Sequence, residues 1–324
     1  MTGATCGAGP MMIAVSFISE WRKVYLAMAI FTAVIIIPFL LIPESPRANI
    51  NQGKTDEAEK TLRRLAKWNG VTWSGFRDDV ESKDTAVLGL WSQLTTMVSN
   101  KVFLLESLGS MTLWCVVFLC YCGLYYAWDK IIPDTTVGYP LGMGLQVIGY
   151  ALFLPVVRVF GRRMFLMGSF LLAAVTFALA AATNTITLGS NGDWTVASIA
   201  SIFAQFLLSW IFPGVLTWNV ELAPCTHAGT VFGLANGSSK IFAMFAPSLF
   251  NSLVMVTGGF AASFGILSGL CVVGLCVSYL QVETMGETIV KSPEEVAERR
   301  SRRNRVTVFR NRVSHVKDYE VNEH

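Results

Sequence analysis

Long stretches without a charged residue are the feature that most restricts how this chain can fold. A helix needs about 20 mainly apolar residues to cross the hydrocarbon core of a bilayer. Uncharged stretches of about that length or more cover residues 24–43, 107–128, 135–157, 164–192, 194–220 and 241–282. The last is long enough for two spans, and we divide it at Thr257-Gly258-Gly259.

The start of the chain gives a weaker signal of the same kind. Residues 2–18 are uncharged but rich in Gly and Ala, and we predict one more helix there. A secretory signal peptide is the alternative, but it would place a basic residue before its apolar core, and no Lys or Arg precedes Arg22. With 53% hydrophobic and 15% charged residues, the sequence predicts an all-α membrane protein of about eight transmembrane helices.

The basic residues are unevenly distributed, and this predicts an orientation. Of 25 Lys and Arg residues, 21 lie in residues 43–102, in residues 158–163 or beyond Glu283. Basic residues near span ends mark the cytoplasmic side. We therefore expect these three regions to face the cytoplasm. Arg22, Lys23 and Lys130 then lie outside, and Lys240 remains within the membrane.

The composition argues against several other functions. Nearly all of the seven Cys residues fall in apolar stretches, which disfavours a disulfide framework. With three His, no metal-ligand cluster, no phosphate loop and no nucleophile constellation, we expect no enzyme activity, no cofactor and no metal. The arginines of residues 299–312 suit anionic lipid much better than nucleic acid, and the latter is not expected as a partner.

Several motifs resemble one transporter family. They occur in the family's order, each at the end of a predicted span or in the long loop: Pro43-Glu44-Ser45-Pro46-Arg47, Asp56-Glu57-Ala58-Glu59-Lys60, Leu65-Ala66-Lys67-Trp68-Asn69-Gly70, Gly161-Arg162-Arg163, Glu221-Leu222-Ala223-Pro224 and Val282-Glu283-Thr284-Met285-Gly286-Glu287. This set resembles the organic cation and organic anion transporters (solute carrier family 22) of the major facilitator superfamily. The first motif is shared with sugar porters; the combination is more specific.

The resemblance implies a partial major facilitator fold in a multi-pass protein of the plasma membrane. The eight spans would correspond to helices five to twelve. Residues 1–43 would hold the last two helices of the N-terminal half, 44–103 a cytoplasmic loop with charged helices, 104–282 the six-helix C-terminal half, and 283–324 a basic cytoplasmic tail.

The function that the resemblance implies is transport of small organic ions from a site between two halves of the fold. Since four helices of the first half would lie outside this chain, we expect that it does not transport alone. Its partners would then be the substrate, the bilayer, and the missing N-terminal half or a full-length homologue. A non-transporting isoform or fragment that regulates or derives from a full-length transporter is the alternative.

The resemblance also implies a cytoplasmic charge network. Arg162 and Arg163 would pair with Glu221 and Glu283 and close the inward face, while Glu44 would pair with the first half. Arg162 and Arg163 serve equally well as simple positive-inside anchors. Two departures put the usual charge relay in doubt, since Arg158 stands where the family has Asp and Ala228 where it has Arg.

Lys240 is the candidate substrate contact. A Lys at the centre of a span costs about 2.5–3.5 kcal/mol on insertion scales, which makes it a functional candidate by default. A structural pair or snorkelling toward the surface is the alternative. By resemblance, cation transporters carry an acid at this position and anion or zwitterion transporters an Arg, so Lys240 favours anions or zwitterions. Trp218 and Phe242 are further candidates, although aromatic residues in spans more often pack or anchor at the interface.

The orientation is testable with an epitope placed after His324. If residues beyond Glu283 are cytoplasmic, antibody should stain this epitope only after permeabilisation, because the basic residues stay on the inner side. An epitope between Lys130 and Thr135 is the matched control and should be stained on intact cells. Staining of the His324 epitope on intact cells would contradict the predicted orientation.

Overall fold

The computed structural model describes residues 20–41, 44, 46–51, 54–71, 75, 89–183, 186–188, 194–224, 226–285 and 293–303. These form two compact units, the small unit, which holds the described residues of Ala14–Gln93, and the bundle, which holds the described residues from Leu94 onward. The helices are α1 (Trp21–Leu41), α2 (Pro46–Asn51), α3 (Thr55–Trp68), α4 (Leu90–Ser99), α5 (Lys101–Ile131), α6 (Thr135–Phe160), α7 (Arg162–Ala182), α8 (Val196–Leu222), α9 (Ala228–Thr257), α10 (Ala261–Leu280) and α11 (Pro293–Arg303). Two short strands, β1 (Thr187–Leu188) and β2 (Trp194–Thr195), pair antiparallel.

The small unit contains α1 and the charged helix predicted after it. The apolar stretch of α1, Tyr25–Val34, is shorter than those of the bundle, so its assignment as a span stays a prediction. In α3, Asp56 and Glu57 occupy the first turn and Lys67 the last, an order that suits the helix dipole. The predicted helix over residues 2–18 lies outside the described residues.

The bundle contains six helices that are long and apolar enough to cross a membrane, α5 to α10. Each coincides with one of the spans predicted between residues 107 and 282. The predicted break at Thr257-Gly258-Gly259 is present: α9 ends at Thr257, and Gly258 follows with a φ of 69°. Only Gly adopts this left-handed conformation at little cost, so Gly258 ends α9.

Two boundaries differ from the predicted ones. The uncharged stretch 164–192 is not helical throughout, because α7 ends at Ala182. Thr183 follows, and its hydroxyl donates to the carbonyl of Leu179. The second boundary is the start of α5. This helix begins at Lys101, ahead of the uncharged stretch from Ser107, because the side chain of Asn100 accepts from the backbone N–H groups of Val102 and Phe103. Asn is a strong N-cap residue.

Aromatic side chains form the centre of the bundle, where α5, α8 and α9 meet. Trp114 of α5 stacks on Phe118 of the same helix and meets Phe212 and Phe232 edge-on, with centroids 5.4–5.7 Å apart. Phe118 also meets Phe212 edge-on at 5.5 Å. Such geometries favour aromatic pairs beyond their buried area. This cluster fixes the position of Phe118, which contacts Lys240.

Close helix packing in the bundle depends on glycine. At Gly274 of α10, a Cβ atom would lie 2.6 Å from Cε1 of the fully buried Phe170 on α7. A Cβ at Gly269 of the same helix would meet no heavy atom within 4 Å. Small residues let membrane helices approach closely. The contact between α7 and α10 therefore requires glycine at position 274.

Substitution of these two glycines provides a matched test of the packing. Gly274→Leu should lower the melting temperature of the chain in detergent, because overpacking costs about 1–3 kcal/mol. Gly269→Leu, facing open space, should leave it nearly unchanged. Fluorescence-detected size exclusion after heating measures both variants. Equal melting temperatures would contradict the close approach of α7 and α10.

Candidate functional site

The carboxylate of Glu283 caps the N-terminus of α7. The backbone N–H groups of Arg162 and Arg163 donate to Oε1 and Oε2 of Glu283, at 3.0 and 2.9 Å. The first turn of a helix presents unpaired N–H groups and a partial positive charge, which together attract an anion. Gly161 precedes the helix with a φ of 81°, and a Cβ atom there would lie 3.1 Å from Oε2 of Glu283. Gly161 thus leaves room for the carboxylate.

The side chain of Arg162 forms a two-point ion pair next to this carboxylate. Its Nε and Nη2 donate to Oε2 and Oε1 of Glu221 at 3.0 and 2.6 Å. The hydroxyl of Thr284 donates to the same Oε2. Glu221 belongs to the last turn of α8, and Thr284 follows α10. The fork geometry of a guanidinium makes this arrangement both strong and directional.

Two further contacts hold the same segment. Arg163 donates through Nη2 to the carbonyl of Tyr279 at 2.6 Å, and its guanidinium lies 5.0 Å from the centroid of the Tyr279 ring. Trp218 is 3% exposed and donates through its indole N–H to the carbonyl of Val282 at 3.0 Å. We call this end of the bundle, with Arg162, Arg163, Glu221 and Glu283, the charged end.

The charged end joins three helices within one unit. Arg162 and Arg163 begin α7, Glu221 ends α8, and Glu283 follows α10, and all four lie in the bundle. Glu44 belongs to the small unit, where its side chain is exposed. The network therefore joins helices within the bundle. Its role in closing the inward face stays a prediction.

The two departures from the family pattern have different surroundings. Arg158, in the last turn of α6, is exposed. Ala228 begins α9, and the preceding His227 is 2% exposed and meets the Phe103 ring edge-on at 5.5 Å. Burial lowers the pKa of His227, while the charge of Glu294 opposes that shift. The buried imidazole of His227 thus directly precedes Ala228 at the start of α9.

Lys240 lies near the middle of α9, as predicted. Its Nζ is 3.4 Å from the centroid of the Phe118 ring, and the side chain is otherwise exposed. A ring face attracts an ammonium more strongly where water is excluded. The aromatic ring thus stabilises the positive charge without neutralising it.

The three predicted substrate residues do not form one group. Trp218 is buried and hydrogen-bonded at the charged end, whereas Phe242 on α9 is 54% exposed. Residues two apart on a helix are separated by about 200° around its axis, so Lys240 and Phe242 point in different directions. The contact partner of Lys240, Phe118, was not predicted from the sequence. Nothing in a span of apolar residues distinguishes this Phe from the others.

A second charged contact was also missed. Glu106 of α5 is 1% exposed, and its Oε1 lies 2.7 Å from Nη1 of Arg300 on α11. Its sequence signal is an acidic residue in the second turn of a membrane-length helix, but only the fold identifies its partner. Within the described residues, no group of three or more His, Cys, Asp or Glu side chains could hold a metal ion.

Comparisons with known proteins agree with this architecture. The sugar (and other) transporter family matches residues 1–296. The fold resembles that of the proton:xylose symporter XylE bound to 6-bromo-6-deoxy-D-glucose, with a TM-score of 0.62 at 19% identity over 85% of this chain and 59% of that one. An inward open XylE structure from E. coli gives 0.53 at 17% identity, over 90% of this chain and 61% of that one.

Curated relatives are organic cation transporters. The human organic cation/carnitine transporter 2 is 24% identical over 71% of this chain and 41% of its own length. Organic cation transporter 1 of Caenorhabditis elegans is 24% identical over 83% of this chain and 48% of its length. The chain thus spans about half the length of these relatives, which are transporters and not enzymes. It belongs to the sugar (and other) transporter family and is a multi-pass membrane protein with part of the major facilitator fold.

The cap on α7 is testable with substitutions of Glu283. Glu283→Ala should lower the melting temperature of the chain in detergent, since loss of a helix cap costs about 0.5–2 kcal/mol. Glu283→Gln should cost less, because its amide oxygen still accepts one N–H bond. Glu44→Ala, at an exposed carboxylate, is the control. Equal stability of Glu283→Ala and the unmodified chain would contradict the role of Glu283 as the cap.

Proposed function

We propose that this chain forms part of a secondary transporter of small organic ions in the plasma membrane, with anions or zwitterions favoured. Membership of the transporter family and the six-helix bundle support transport as the general function. In such carriers the substrate binds near the bilayer midplane. The observation that carries the substrate class is the exposed ammonium of Lys240 near the middle of α9.

The chemistry of Lys240 suits a carboxylate. An ionised side chain within a span is stabilised when it faces a cavity or a partner. Phe118 stabilises the ammonium but supplies no counter-charge, since its ring is neutral. The spans of the bundle hold no acidic residue between Glu106 and Asp129, or between Glu221 and Glu283. A substrate carboxylate would supply the missing negative charge.

The names of the relatives bear on this choice in two ways. Organic cation transporters suggest a cationic substrate, which the charge of Lys240 would repel. Carnitine, in the name of another relative, carries both a quaternary ammonium and a carboxylate. A zwitterion therefore reconciles these relatives with Lys240. Its carboxylate would meet Lys240, and its ammonium would lie elsewhere in the site.

Uptake measurements on full-length protein containing this segment test the role of Lys240. Lys240→Ala should weaken uptake of carnitine about tenfold or more, because a hydrogen bond to a charged group contributes about 1.5–3 kcal/mol. Uptake of tetraethylammonium, which has no carboxylate, should stay the same or rise. Lys240→Arg should retain carnitine uptake.

Two controls make this comparison specific. Lys130→Ala removes a lysine at the far end of α5 and should leave both uptake rates unchanged, provided that surface amounts are equal. Preference for tetraethylammonium over carnitine in the unmodified protein would contradict the proposed substrate class. Equal loss of both substrates in Lys240→Ala would point to a structural role.

A further inference from the structure

Helix α3 of the small unit ends in exposed apolar and basic side chains that lie side by side. Trp68, the last residue of the helix, is 60% exposed, and Val71 beyond it is 64% exposed. The guanidinium of Arg64 lies 4.8 Å from the centroid of the Trp68 ring. Lys67 is exposed in the same turn. We call these four residues, Arg64, Lys67, Trp68 and Val71, the α3 tip.

Backbone hydrogen bonds hold the α3 tip in place. The N–H of Val71 donates to the carbonyl of Ala66 at 2.9 Å, and the N–H of Gly70 donates to that of Lys67 at 3.3 Å. With Gly70 at a φ of 68°, these two bonds form the Schellman motif that ends many helices. The residue in the position of Val71 frequently packs back on the helix in this motif. Here Val71 stays exposed, so the fold presents an apolar side chain at a fixed position.

The basic side chains of α3 lie opposite its packed side. Ala58 is fully buried, and Leu62 and Leu65 are partly buried. Residues three or four positions apart share one side of a helix. The four basic residues that share the opposite side are all exposed: Lys60, Arg63, Arg64 and Lys67. Helix α3 thus packs one side and turns a basic side outward.

The positive charge of this side is concentrated at the α3 tip. The acidic residues of α3 all lie in its first part: Asp56, Glu57 and Glu59. Arg63 is paired with Glu59 at 2.8 Å. Among the described residues, neither Arg64 nor Lys67 forms a salt bridge. Two positive charges therefore stand beside the exposed Trp68 ring.

The place of α3 in the chain brings it near the membrane surface. Helix α2 begins at Pro46, five residues after α1 ends at Leu41, which is at most about 18 Å of chain. The N–H of Lys54 then joins α3 to α2 by donating to the carbonyl of Asn49 at 2.8 Å. With α1 as a span and the following loop in the cytoplasm, as predicted, α3 lies within reach of the inner leaflet. Anionic lipids of that leaflet attract Lys and Arg.

From these observations we propose that the α3 tip docks on the anionic phospholipids of the cytoplasmic leaflet. Arg64 and Lys67 contact the phosphate and carboxylate groups of the lipid headgroups. Trp68 and Val71 lie at the boundary between the headgroups and the acyl chains, where Trp is enriched in membrane proteins. This docking anchors α3 to the bilayer and does not depend on the proposed transport function.

Quenching of Trp68 fluorescence in lipid nanodiscs tests the docking. The purified 324-residue chain is placed in nanodiscs of acyl-brominated phosphatidylcholine with or without phosphatidylserine. Subtracting the emission of a Trp68→Phe variant isolates that of Trp68. The bromines should quench this emission strongly when phosphatidylserine is present, and little without it or at high salt, which screens the attraction. Both leaflets contain phosphatidylserine, so the result is independent of the orientation of the chain.

Substitutions at the α3 tip should weaken the docking in proportion to the charge removed. Arg64→Gln and Lys67→Gln should each lower the ratio of docked to undocked chain, taken from the quenched fraction, by about fivefold. Arg64→Lys keeps the charge and should retain the docking. Lys54→Gln, at an exposed lysine before the other end of α3, is the matched control and should change the ratio little. The substituted side chains are exposed, so an unchanged melting temperature in detergent should accompany each result.

A soluble competitor separates a lipid surface from a dissolved anion. Phosphoserine offers the same charged groups without acyl chains, and it should reduce the quenching no more than sodium chloride of equal ionic strength does. Full displacement by phosphoserine would indicate a site for a dissolved anion and overturn the proposal. Equal quenching with and without phosphatidylserine, or an equal loss in Lys54→Gln and Arg64→Gln, would overturn it as well.

Discussion

The hydrocarbon core of the bilayer restricts where the bundle can place polar and ionised groups. Backbone polar groups cannot remain unpaired in lipid, so the six spans are continuous helices and the irregular segments lie between them. Ionised side chains are costly in the same region. Most of the strong polar contacts, including the Arg162–Glu221 pair and the Glu283 cap, therefore lie near helix ends. Where the bundle does place a charge deeper, a specific neighbour stabilises it.

Two such charges are handled in different ways. Glu106 is buried and paired with Arg300. Lys240 lies against the face of Phe118 and is otherwise exposed. A ring face stabilises an ammonium without cancelling its charge. The first arrangement joins two helices of the bundle, whereas the second leaves the ammonium exposed.

Whether a feature can be predicted from the sequence depends on how far apart in the chain its interacting residues lie. Charge-free length predicted the six spans of the bundle, and Gly258 marked the break between α9 and α10, because both are local properties. The motifs around Arg162, Glu221 and Glu283 were identified by resemblance. The Arg300–Glu106 pair joins residues 194 positions apart, and Phe118 is one of 21 Phe residues. Such pairings depend on helix packing, for which these spans carry no local signal. Trp218 and Phe242 were grouped with Lys240 by composition alone, and helix geometry separates them.

The charged end and α11 each join a different set of helices in the bundle. The Glu283 cap and the Arg162–Glu221 pair join α7, α8 and the segment after α10, whereas α11 joins α5 to the turn between α8 and α9. The two sets meet through Gln281, which lies two residues before Glu283 in the sequence. Its Nε2 donates to the carbonyl of Glu106. Gln281 thus links α5 to the segment that caps α7. Phe118, which contacts Lys240, lies on the same α5 helix. The packing of α5 therefore determines where the ring meets the ammonium of Lys240.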